Sequence, residues 1–413
     1  MPIEPQRLND RLTRLAAFGQ TPQGGVTRLT FTPEYMAAQS LVREWMEEAG
    51  LATRVDAVGN LIGRREGTEP GLPAIVLGSH IDTVINGGRY DGTVGVLGAI
   101  EVAQALLDDG LETRHPLEVV SFMEEEGTRW GTNMLGSRFM LGRITPDYMQ
   151  ERKDRQGISI AQALAEAGFD PTRYREAARD PSEFAAYVEM HIEQGAVLES
   201  LGAPVGVVTG IAGPLFMALR LIGRTDHAGA TPMHLRRDAL VVAARIVLEA
   251  QRVAKETSPT AVATVGRLEV RPGAINAVPG EVDMTLDLRD IVEAQRDAME
   301  QSLRSAIDQF AAEGGVRSQL EELSRHKPVL LPERMVAYIA QACQEEGLPV
   351  HRLPSGAGHD AQVMASVVDT GMIFLRSRNG VSHSPEEFTS LEDISLGTRV
   401  LLRTTLMLDA WEK

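Results

Sequence analysis

The sequence predicts an α/β protein with two domains, one of which interrupts the other. The first half of the chain alternates strand and helix patterns, residues 212–327 change to the order strand, helix, strand, strand, helix, strand, and the first pattern resumes after 328. We therefore expect a first domain of residues 1–211 and 328–413, with a mixed sheet flanked by helices, and an inserted ferredoxin-like (βαββαβ) domain of residues 212–327. A chain of 413 residues is also too long for one ordinary core.

The elements of the first half each carry a local signal. Thr32 and Pro33 suit the cap and the first turn of a helix, which is expected to run through Met46 and to end near Gly50. The next predicted elements are a strand at 73–77, a helix at 94–107 and strands at 117–123 and 184–190. Because open α/β sheets collect ligands beyond the carboxyl ends of their strands, polar residues there are expected to share one edge.

The insert and the end of the chain complete the prediction. Within the insert we expect strands at 216–222, 260–270, 282–289 and 316–323, with helices at 237–254 and 292–312. Helices are then expected after Pro332 and from His359, followed by a strand at 372–375 and a terminal helix. The sequence contains no internal repeat of short period.

Composition narrows the class of protein. The formal charge is −16 and no cluster of Lys and Arg is interleaved with aromatic residues, which argues against a nucleic-acid partner. The same charge would repel a small anionic substrate, so such a substrate needs local arginines. Cys343 is the only cysteine, which excludes a disulfide framework and a thiolate metal cage. Without a secretory signal or a membrane-spanning apolar run, the expected location is cytoplasmic, with no membrane partner.

Metal-binding side chains occur in short polar segments spread over almost the whole chain. They are His80, Asp91, Glu126, His191 and His383. Three histidines and two carboxylates match a pair of divalent ions bridged by one carboxylate, and the glycine-rich turn around Asp91 lets backbone approach such ions. Because His383 lies beyond the insert, the first domain must be discontinuous.

Two neighbouring carboxylates are candidate catalytic groups. Asp82 is two residues from His80 on an extended segment, so it can hydrogen-bond the second ring nitrogen of that histidine. Glu125 is adjacent to Glu126. With Glu126 on a metal, Glu125 is free to take a proton from water and to return it to a leaving nitrogen.

Each motif by itself also has a plainer interpretation. A single histidine beside a strand is often structural, and a run of three glutamates is often solvated surface. The glycines between Gly92 and Gly98 lack the Lys-Ser/Thr ending of a phosphate loop, and no Gly-x-Ser-x-Gly elbow of a serine hydrolase is present. The combination of the five motifs is what favours a two-metal hydrolase.

In combination, the motifs resemble the M20-type metal-dependent amidohydrolases, which include N-carbamoyl-L-amino acid hydrolases, allantoate amidohydrolases and β-ureidopropionases. The resemblance runs from residues 25–29 through 58–61 to 381–385, nearly the whole chain. It implies two divalent metal ions per subunit, one held by His80, Asp91 and His191 and the other by Asp91, Glu126 and His383. Zinc is the expected metal, and manganese, cobalt or nickel would also suit these ligands.

The same resemblance assigns the insert as a lid that also forms a homodimer contact. It implies that His227 polarises the scissile carbonyl oxygen across the subunit interface, and that Asn276 and Arg289 grip a substrate carboxylate. In the alternative interpretation, Arg289 merely pairs with Asp287 or Asp290. Further pocket residues are expected at Gln194, Gly356 and Ala357, whereas His359 is not expected to be a metal ligand.

Two positions help to choose a substrate within the family. Aminoacylases and dipeptidases usually carry an acidic residue where His191 stands, which favours the carbamoyl and ureido branch. Allantoate amidohydrolases tend to carry arginine near Leu215 or Phe216, which are apolar here. We therefore predict hydrolysis of N-carbamoyl-L-amino acids to the amino acid, carbon dioxide and ammonia. Allantoate hydrolysis is the first alternative, an aminoacylase or peptidase the second, and an inactive binding or scaffold protein the third.

Overall fold

A computed structural model describes residues 3–410, which divide into two compact units. Within that range, the first unit takes in residues 3–209, 331–353 and 359–410, and the second takes in Gly210–Leu330 and Pro354–Gly358. The sequence analysis placed the short loop Pro354–Gly358 with the first domain. It belongs to the second unit, where the carbonyl oxygen of Gly356 accepts a hydrogen bond from Nη1 of Arg289 at 2.7 Å.

Helices and strands alternate along most of the chain. The helices are α1 (Pro5–Ala16), α2 (Pro33–Glu48), α3 (Thr93–Asp108), α4 (Leu135–Met140), α5 (Pro146–Glu151), α6 (Ile160–Glu166), α7 (Val197–Leu201), α8 (Ala239–Thr257), α9 (Glu293–Glu313), α10 (Glu333–Glu345), α11 (Asp360–Met364) and α12 (Leu391–Asp409). The strands are β1 (Ala52–Val55), β2 (Leu61–Arg65), β3 (Ala74–His80), β4 (Leu117–Phe122), β5 (Phe184–Ile192), β6 (Val205–Ile211), β7 (Leu215–Ile222), β8 (Val262–Thr264), β9 (Leu268–Arg271), β10 (Glu281–Arg289), β11 (Arg317–Arg325), β12 (Val329–Leu330), β13 (Arg352–Ser355) and β14 (Thr370–Leu375). Short 3₁₀ helices lie at Pro171–Ala177, Pro181–Glu183, Met233–Leu235 and Arg378–Gly380.

The first unit is built on a mixed sheet flanked by helices, which confirms the predicted fold class. Its strand order is β1-β2-β4-β3-β5-β14-β6. The central pairs β3–β4, β3–β5 and β5–β14 are parallel, and the outer pairs are antiparallel. Every residue of β3, β4, β5 and β14 is buried. The parallel strands therefore point their carboxyl ends to the same edge of the sheet.

Helix α3 packs closely on the sheet, and one of its glycines makes this approach possible. The helix is buried almost all round and packs on β3 and β5. A Cβ atom on Gly95 would lie only 2.3 Å from the carbonyl oxygen of Met190. The glycine is therefore needed for close packing of helix against strand.

Several details of the first unit differ from the prediction. Strand β5 continues to Ile192, so His191 lies on the strand instead of after it. Helix α1, the short helices α4–α7, the hairpin β1–β2 and the strands β6 and β13 were not predicted. Thr32, in contrast, caps α2 as expected, because its hydroxyl accepts the N–H of Tyr35.

The second unit has the ferredoxin-like order of strands and helices. Its antiparallel sheet has the order β11-β7-β10-β8, and β9 also pairs with β10. The predicted strand at 260–270 is broken into β8 and β9, which lie one after the other along β10. Helices α8 and α9 pack on this sheet and enclose an apolar core that includes Leu215, Ile246 and Leu303. Alternate residues of β10 are buried, so its other side chains lie on the opposite face of the sheet.

Between residues 3 and 410, none of the helices combines the length and the apolar composition needed to cross a membrane.

Candidate metal centre

The sheet of the first unit brings together all five side chains that the sequence marks as candidate metal ligands. His80 is the last residue of β3, and His191 is the penultimate residue of β5. Glu126 follows β4, Asp91 precedes α3, and His383 lies between β14 and α12. Residues separated by up to three hundred positions therefore meet at one edge of the sheet.

One group of possible ligand atoms consists of His80, Asp91 and His191. Their atoms lie within 4.8 Å of one another, and all three residues are buried. Oδ1 of Asp91 lies 3.1 Å from Nε2 of His191 and 3.6 Å from Nε2 of His80. Nε2 of His80 is buried, yet it has no hydrogen-bond partner within residues 3–410. Such a nitrogen costs about 1–3 kcal/mol unless something binds it, and a metal ion would do so.

The second group consists of Asp91, Glu126 and His383. Nε2 of His383 lies 3.4 Å from Oδ2 of Asp91 and 3.4 Å from Oε2 of Glu126. The side chain of His383 is 49% exposed, whereas that of Asp91 is 6% exposed. The two oxygens of Asp91 thus face different groups, which is the arrangement that a carboxylate bridging two metal ions requires.

Backbone carbonyls orient the two buried histidines. Nδ1 of His191 lies 2.9 Å from the carbonyl oxygen of Ile192, and Nδ1 of His80 lies 3.1 Å from that of Asp82. Each Nδ1 therefore carries the proton, and each Nε2 is an acceptor: that of His191 accepts the N–H of Gly92 at 3.2 Å, and that of His80 is left for a ligand bond. Oδ1 of Asp82 lies 3.5 Å from the same Nδ1 of His80, so the predicted contact of this carboxylate with the histidine is present but longer than that of the carbonyl oxygen.

The carboxylate of Asp82 also holds the loop that carries Glu125 and Glu126. It accepts the N–H of Glu125 at 3.2 Å and the N–H of Glu126 at 3.1 Å. Its two oxygens thereby fix the backbone from which both glutamate side chains extend. Asp82 is thus buried between the histidine and the glutamates and contacts both.

Glu125 lies beside the two groups and belongs to neither. Its Oε2 is 3.6 Å from Nε2 of His80, and the residue is only 6% exposed. Burial raises the pKa of Glu125 well above its ordinary value, against the lowering effect of His80. A carboxylate with a raised pKa that does not bind a metal is suited to taking up and releasing a proton.

The electrostatics of the cluster favour added positive charge. Burial, and then repulsion from Asp91, raise the pKa of Glu126 to about 8. Burial opposes ionisation of Asp91 as well, but His191 and the other histidines hold its pKa well below the usual range. Several buried carboxylates are costly to keep charged unless a cation is near. The donor set and its electrostatics therefore fit divalent metal ions.

Gln194 contacts the shared carboxylate, a role that the sequence did not indicate. Its Nε2 donates to Oδ2 of Asp91 at 2.6 Å and lies 3.4 Å from Nε2 of His383. The backbone of Gln194 has a φ of 56°, in the left-handed region that non-glycine residues rarely occupy. Glu124 and His383 share this feature, with φ values of 50° and 56°. Such strained residues concentrate at functional sites.

His359 packs against the centre without joining either group described above. Its ring is 4.5 Å from that of His191, in an edge-to-face arrangement. Burial, and then the neighbouring His191, lower the pKa of His359 well below its ordinary value. Glu189, His191 and His359 also lie close enough to form a third group of possible ligands, so the expectation that His359 is not a ligand stays a prediction.

In the second unit, the structure brings His227 next to Asn276. The N–H of Ala228 donates to the carbonyl oxygen of Asn276 at 2.9 Å. Nδ1 of the exposed His227 accepts the N–H groups of Gly229 at 3.1 Å and Ala230 at 3.2 Å. Because Nδ1 is an acceptor, the proton of a neutral ring lies on Nε2, where it can be donated outward.

Arg289 forms an ion pair with Asp287, one of its two possible acidic partners in the sequence. Nε donates to Oδ1 of Asp287 at 2.9 Å, Nη2 donates to Oδ2 at 2.8 Å, and Nη1 donates to the carbonyl oxygen of Gly356 at 2.7 Å. Asp290 is not the partner; it accepts the N–H of Val292 at 2.8 Å. A guanidinium has five N–H groups, and these contacts use three, so two remain for another acceptor. The pairing with Asp287 therefore fixes the guanidinium without saturating it.

Leu215 and Phe216 do not have the same environment. Leu215 is fully buried in the core of the second unit, so it cannot line a pocket. Phe216 is on the other face of β7, half-buried, and its ring centroid lies 5.6 Å from Cζ of Arg289. The prediction that either residue reports on substrate preference is therefore restricted to Phe216. Ala357 lies beside Gly356 in the loop that binds Arg289.

An α/β sheet with two adjoining candidate metal-binding groups at its strand ends, and an unattached glutamate beside them, is typical of a metal-dependent hydrolase. The chain belongs to the peptidase family M20/M25/M40, whose model matches residues 76–407. It is 47% identical to the N-carbamoyl-L-amino acid amidohydrolase of Geobacillus stearothermophilus over 406 residues, which are 98% of this chain and 99% of the relative. It is 38% identical to the allantoate amidohydrolase of Bacillus subtilis (strain 168) over 394 residues, 95% of each chain.

A solved structure gives the same result. An amidase of the hydantoinase/carbamoylase family from Burkholderia multivorans matches with a TM-score of 0.94 and 37% identity, covering 100% of this chain and 99% of that chain. The family assignment made from the sequence motifs is therefore confirmed. The protein is a hydrolase that acts on amide bonds.

Proposed function

We propose that this protein hydrolyses the carbamoyl C–N bond of N-carbamoyl-L-amino acids to give the amino acid, carbon dioxide and ammonia. The observation that carries the proposal is the position of Asp91 between two ligand groups, with Glu125 beside them. Similarity over almost the full length to a hydrolase of such substrates supports the substrate class.

The ligands for two divalent ions are His80, Asp91 and His191 for one, and Asp91, Glu126 and His383 for the other. When bound, such ions polarise the substrate carbonyl and make water a better nucleophile. The His/carboxylate ligand set suits zinc first, with manganese, cobalt and nickel as further candidates.

Glu125 is the proton carrier of this proposal. It takes a proton from the attacking water as the oxygen bonds to the ureido carbon, and it gives the proton to the nitrogen that departs. Asp82 holds the N–H of Glu125 and so keeps the carboxylate in place. The released carbamic acid or carbamate then loses carbon dioxide.

Residues of the second unit supply substrate recognition in this proposal. Nε2–H of His227 donates to the oxygen that becomes negative in the transition state. The two remaining N–H groups of Arg289 suit the substrate carboxylate, with Asn276 as a second donor. Gln194, Gly356 and Ala357 complete the expected pocket. We propose that the second unit acts as a lid.

Exposed apolar side chains support a homodimer formed through the second unit. Val241 and Leu248 on α8 are 56% and 68% exposed, and Val262 on the edge strand β8 is 51% exposed. Apolar groups beside an open sheet edge are typical of a surface that pairs with another copy. His227 is then expected to act on the active site of the partner subunit. A cytoplasmic location stays a prediction.

Allantoate hydrolysis is the second candidate, because the allantoate amidohydrolase of Bacillus subtilis is 38% identical. The ring of Phe216 argues for a less polar group at that position than the second ureido group of allantoate. An aminoacylase or peptidase activity, and an inactive scaffold, are the remaining alternatives from the sequence.

A panel of substrates tests the proposal. Metal-reconstituted protein is assayed for ammonia release from N-carbamoyl-L- and D-amino acids, allantoate and N-carbamoyl-β-alanine, and for amine release from an N-acetyl amino acid. L-selective turnover of carbamoyl substrates is expected. Preference for allantoate would replace the proposal by its alternative, and inactivity on every substrate despite bound metal would favour the scaffold.

A further inference from the structure

One buried carboxylate near the candidate metal centre is not used by the proposed reaction. Glu387 is 4% exposed and lies four residues beyond His383. Its Oε1 accepts the N–H of Tyr90 at 2.9 Å and the N–H of Asp91 at 3.1 Å. The carboxylate thus holds the backbone of the shared ligand from a position 296 residues further along the chain.

The hydroxyl of Ser382 contacts the carboxylates of both Glu387 and Asp91. Its hydroxyl lies 2.9 Å from Oε2 of Glu387 and 2.9 Å from Oδ2 of Asp91. The serine immediately precedes His383, so the contact fixes the loop that carries this ligand. Asp91 is therefore held at its backbone by Glu387 and at its carboxylate by Ser382.

The approach of Glu387 depends on a glycine. A Cβ atom on Gly88 would lie 2.0 Å from Oε1 of Glu387 and 2.6 Å from its Cβ atom. No rotation of the glutamate side chain alone relieves both contacts. The loop before Asp91 is thus shaped to receive this carboxylate.

We propose that Glu387 is a positioning residue for the second ligand group, acting through the backbone of Asp91 and through Ser382. His383 is the most exposed of the five candidate ligands. When the loop of His383 is held against the loop of Asp91, the distance between these two ligands is fixed before a metal ion binds. The inference rests on the proposed function, since it assumes that these residues bind metal.

Two substitutions at Glu387 separate positioning from charge. In Glu387→Gln, the amide oxygen can accept both backbone N–H groups, and the amide nitrogen can donate to Ser382, whose own proton is then free for Asp91. In Glu387→Ala all these contacts are lost. We expect Glu387→Ala to weaken binding of the second ion about 10- to 100-fold, and Glu387→Gln to stay within about threefold of the wild type.

Asp409 offers a matched control. Its carboxylate accepts two consecutive backbone N–H groups, those of Arg114 at 3.0 Å and His115 at 2.8 Å, across a separation of 295 and 294 residues. It therefore resembles Glu387 in its contacts but touches no candidate ligand. Asp409→Ala is expected to lower the melting temperature while leaving both metal affinities unchanged.

The experiment measures zinc binding to metal-free full-length protein by competition with a fluorescent chelator. Absorption of the cobalt-substituted protein is a second readout, since it reports ligand geometry independently of turnover. Ser382→Ala and Gly88→Ala are included in case Glu387→Ala does not fold; Ser382→Ala is expected to weaken the second ion about fivefold, as for one lost hydrogen bond. Gly88→Ala should have a larger effect, because it displaces the carboxylate.

The outcomes are distinguishable. Wild-type protein that binds two ions, with selective loss of one in the folded Glu387→Ala or Gly88→Ala variant, supports the inference. Equal affinities in all variants would overturn it and leave the proposed function intact. If Asp409→Ala weakens metal binding as much as Glu387→Ala does, the inference is also overturned, because the effect would then come from a general loss of stability. Wild-type protein that binds no ion would overturn both proposals.

Discussion

The two units of the protein present their candidate functional side chains in opposite ways. In the first unit, His80 and His191 are 1% exposed and lie on buried strands. In the second unit, His227 and Asn276 are exposed and lie on loops. Buried donors on rigid strands suit chemistry that needs fixed distances, and exposed donors on loops suit recognition of a substrate that must enter and leave. We expect substitutions in the first unit to affect turnover and those in the second to affect recognition.

The largest effect is expected from Glu125→Gln in the first unit. Loss of the proton carrier should lower kcat by about 10²- to 10⁴-fold while metal content is kept, because Glu125 is in neither ligand group. Kinetics together with metal analysis of the purified variant checks this. Glu124→Gln is the matched control, since its amide oxygen can still accept the N–H groups of Arg129 and Trp130. If Glu125→Gln stays as active as this control, Glu125 is not the base.

His227→Ala tests whether a residue of the second unit also contributes to chemistry. Loss of an oxyanion donor should lower kcat by about 10²- to 10³-fold. Mixing this variant with Glu125→Gln under conditions that exchange subunits should restore activity, because a mixed dimer has one site with both residues intact. Random exchange should give about a quarter of wild-type activity. No recovery, with mixed dimers demonstrated, would show that His227 does not act across the interface.

Arg289→Lys should act on recognition instead of turnover. A lysine cannot reproduce the paired N–H groups that face a carboxylate, so KM is expected to rise about tenfold or more with a smaller change in kcat. Steady-state kinetics with an N-carbamoyl-L-amino acid measures both. Arg220→Lys is the control, because Arg220 lies on the same strand as Phe216 and pairs with Glu281 at 2.8 Å. Equal KM values for the two variants would remove Arg289 from the substrate site.

Neighbouring residues of β7 give the smallest expected effect on catalysis and the sharpest comparison. Leu215→Ala should destabilise the second unit by about 2–5 kcal/mol without changing substrate preference, because the side chain lies in the core. Phe216→Ala should cost less stability but change the ratio of kcat/KM between small and large carbamoyl substrates about tenfold. Denaturant unfolding and competition kinetics separate the two. The reverse pattern would contradict the assignment of the two faces of the strand.

Local patterns were sufficient to predict most of the fold. Thr32 and Pro33 marked the start of α2, and the apolar runs before His80 and His191 marked strands whose burial the structure confirms. The break between β8 and β9 was missed, because the sequence from 260 to 270 reads as one β-rich segment and only its pairing with β10 shows two parts. Strand β6 was missed as well.

The candidate site was predictable in composition but not in detail. All five candidate ligands were named from their motifs, and the structure brings them together. The environments of Asp82, Gln194 and Glu387 could not be predicted, since each depends on backbone N–H groups or side chains from distant segments. Glu386 and Glu387 follow Ser384-Pro385 directly, and the motif alone does not distinguish the two.

The sequence by itself determined the fold class, the family and the identity of the candidate ligands, because periodicity and short motifs are local properties of a chain. Only the tertiary structure decided which oxygen of Asp91 faces each group, which of Leu215 and Phe216 enters the core, and which acid Arg289 binds. These properties depend on strand register and on contacts between residues far apart in the chain, and both are fixed only when the core packs.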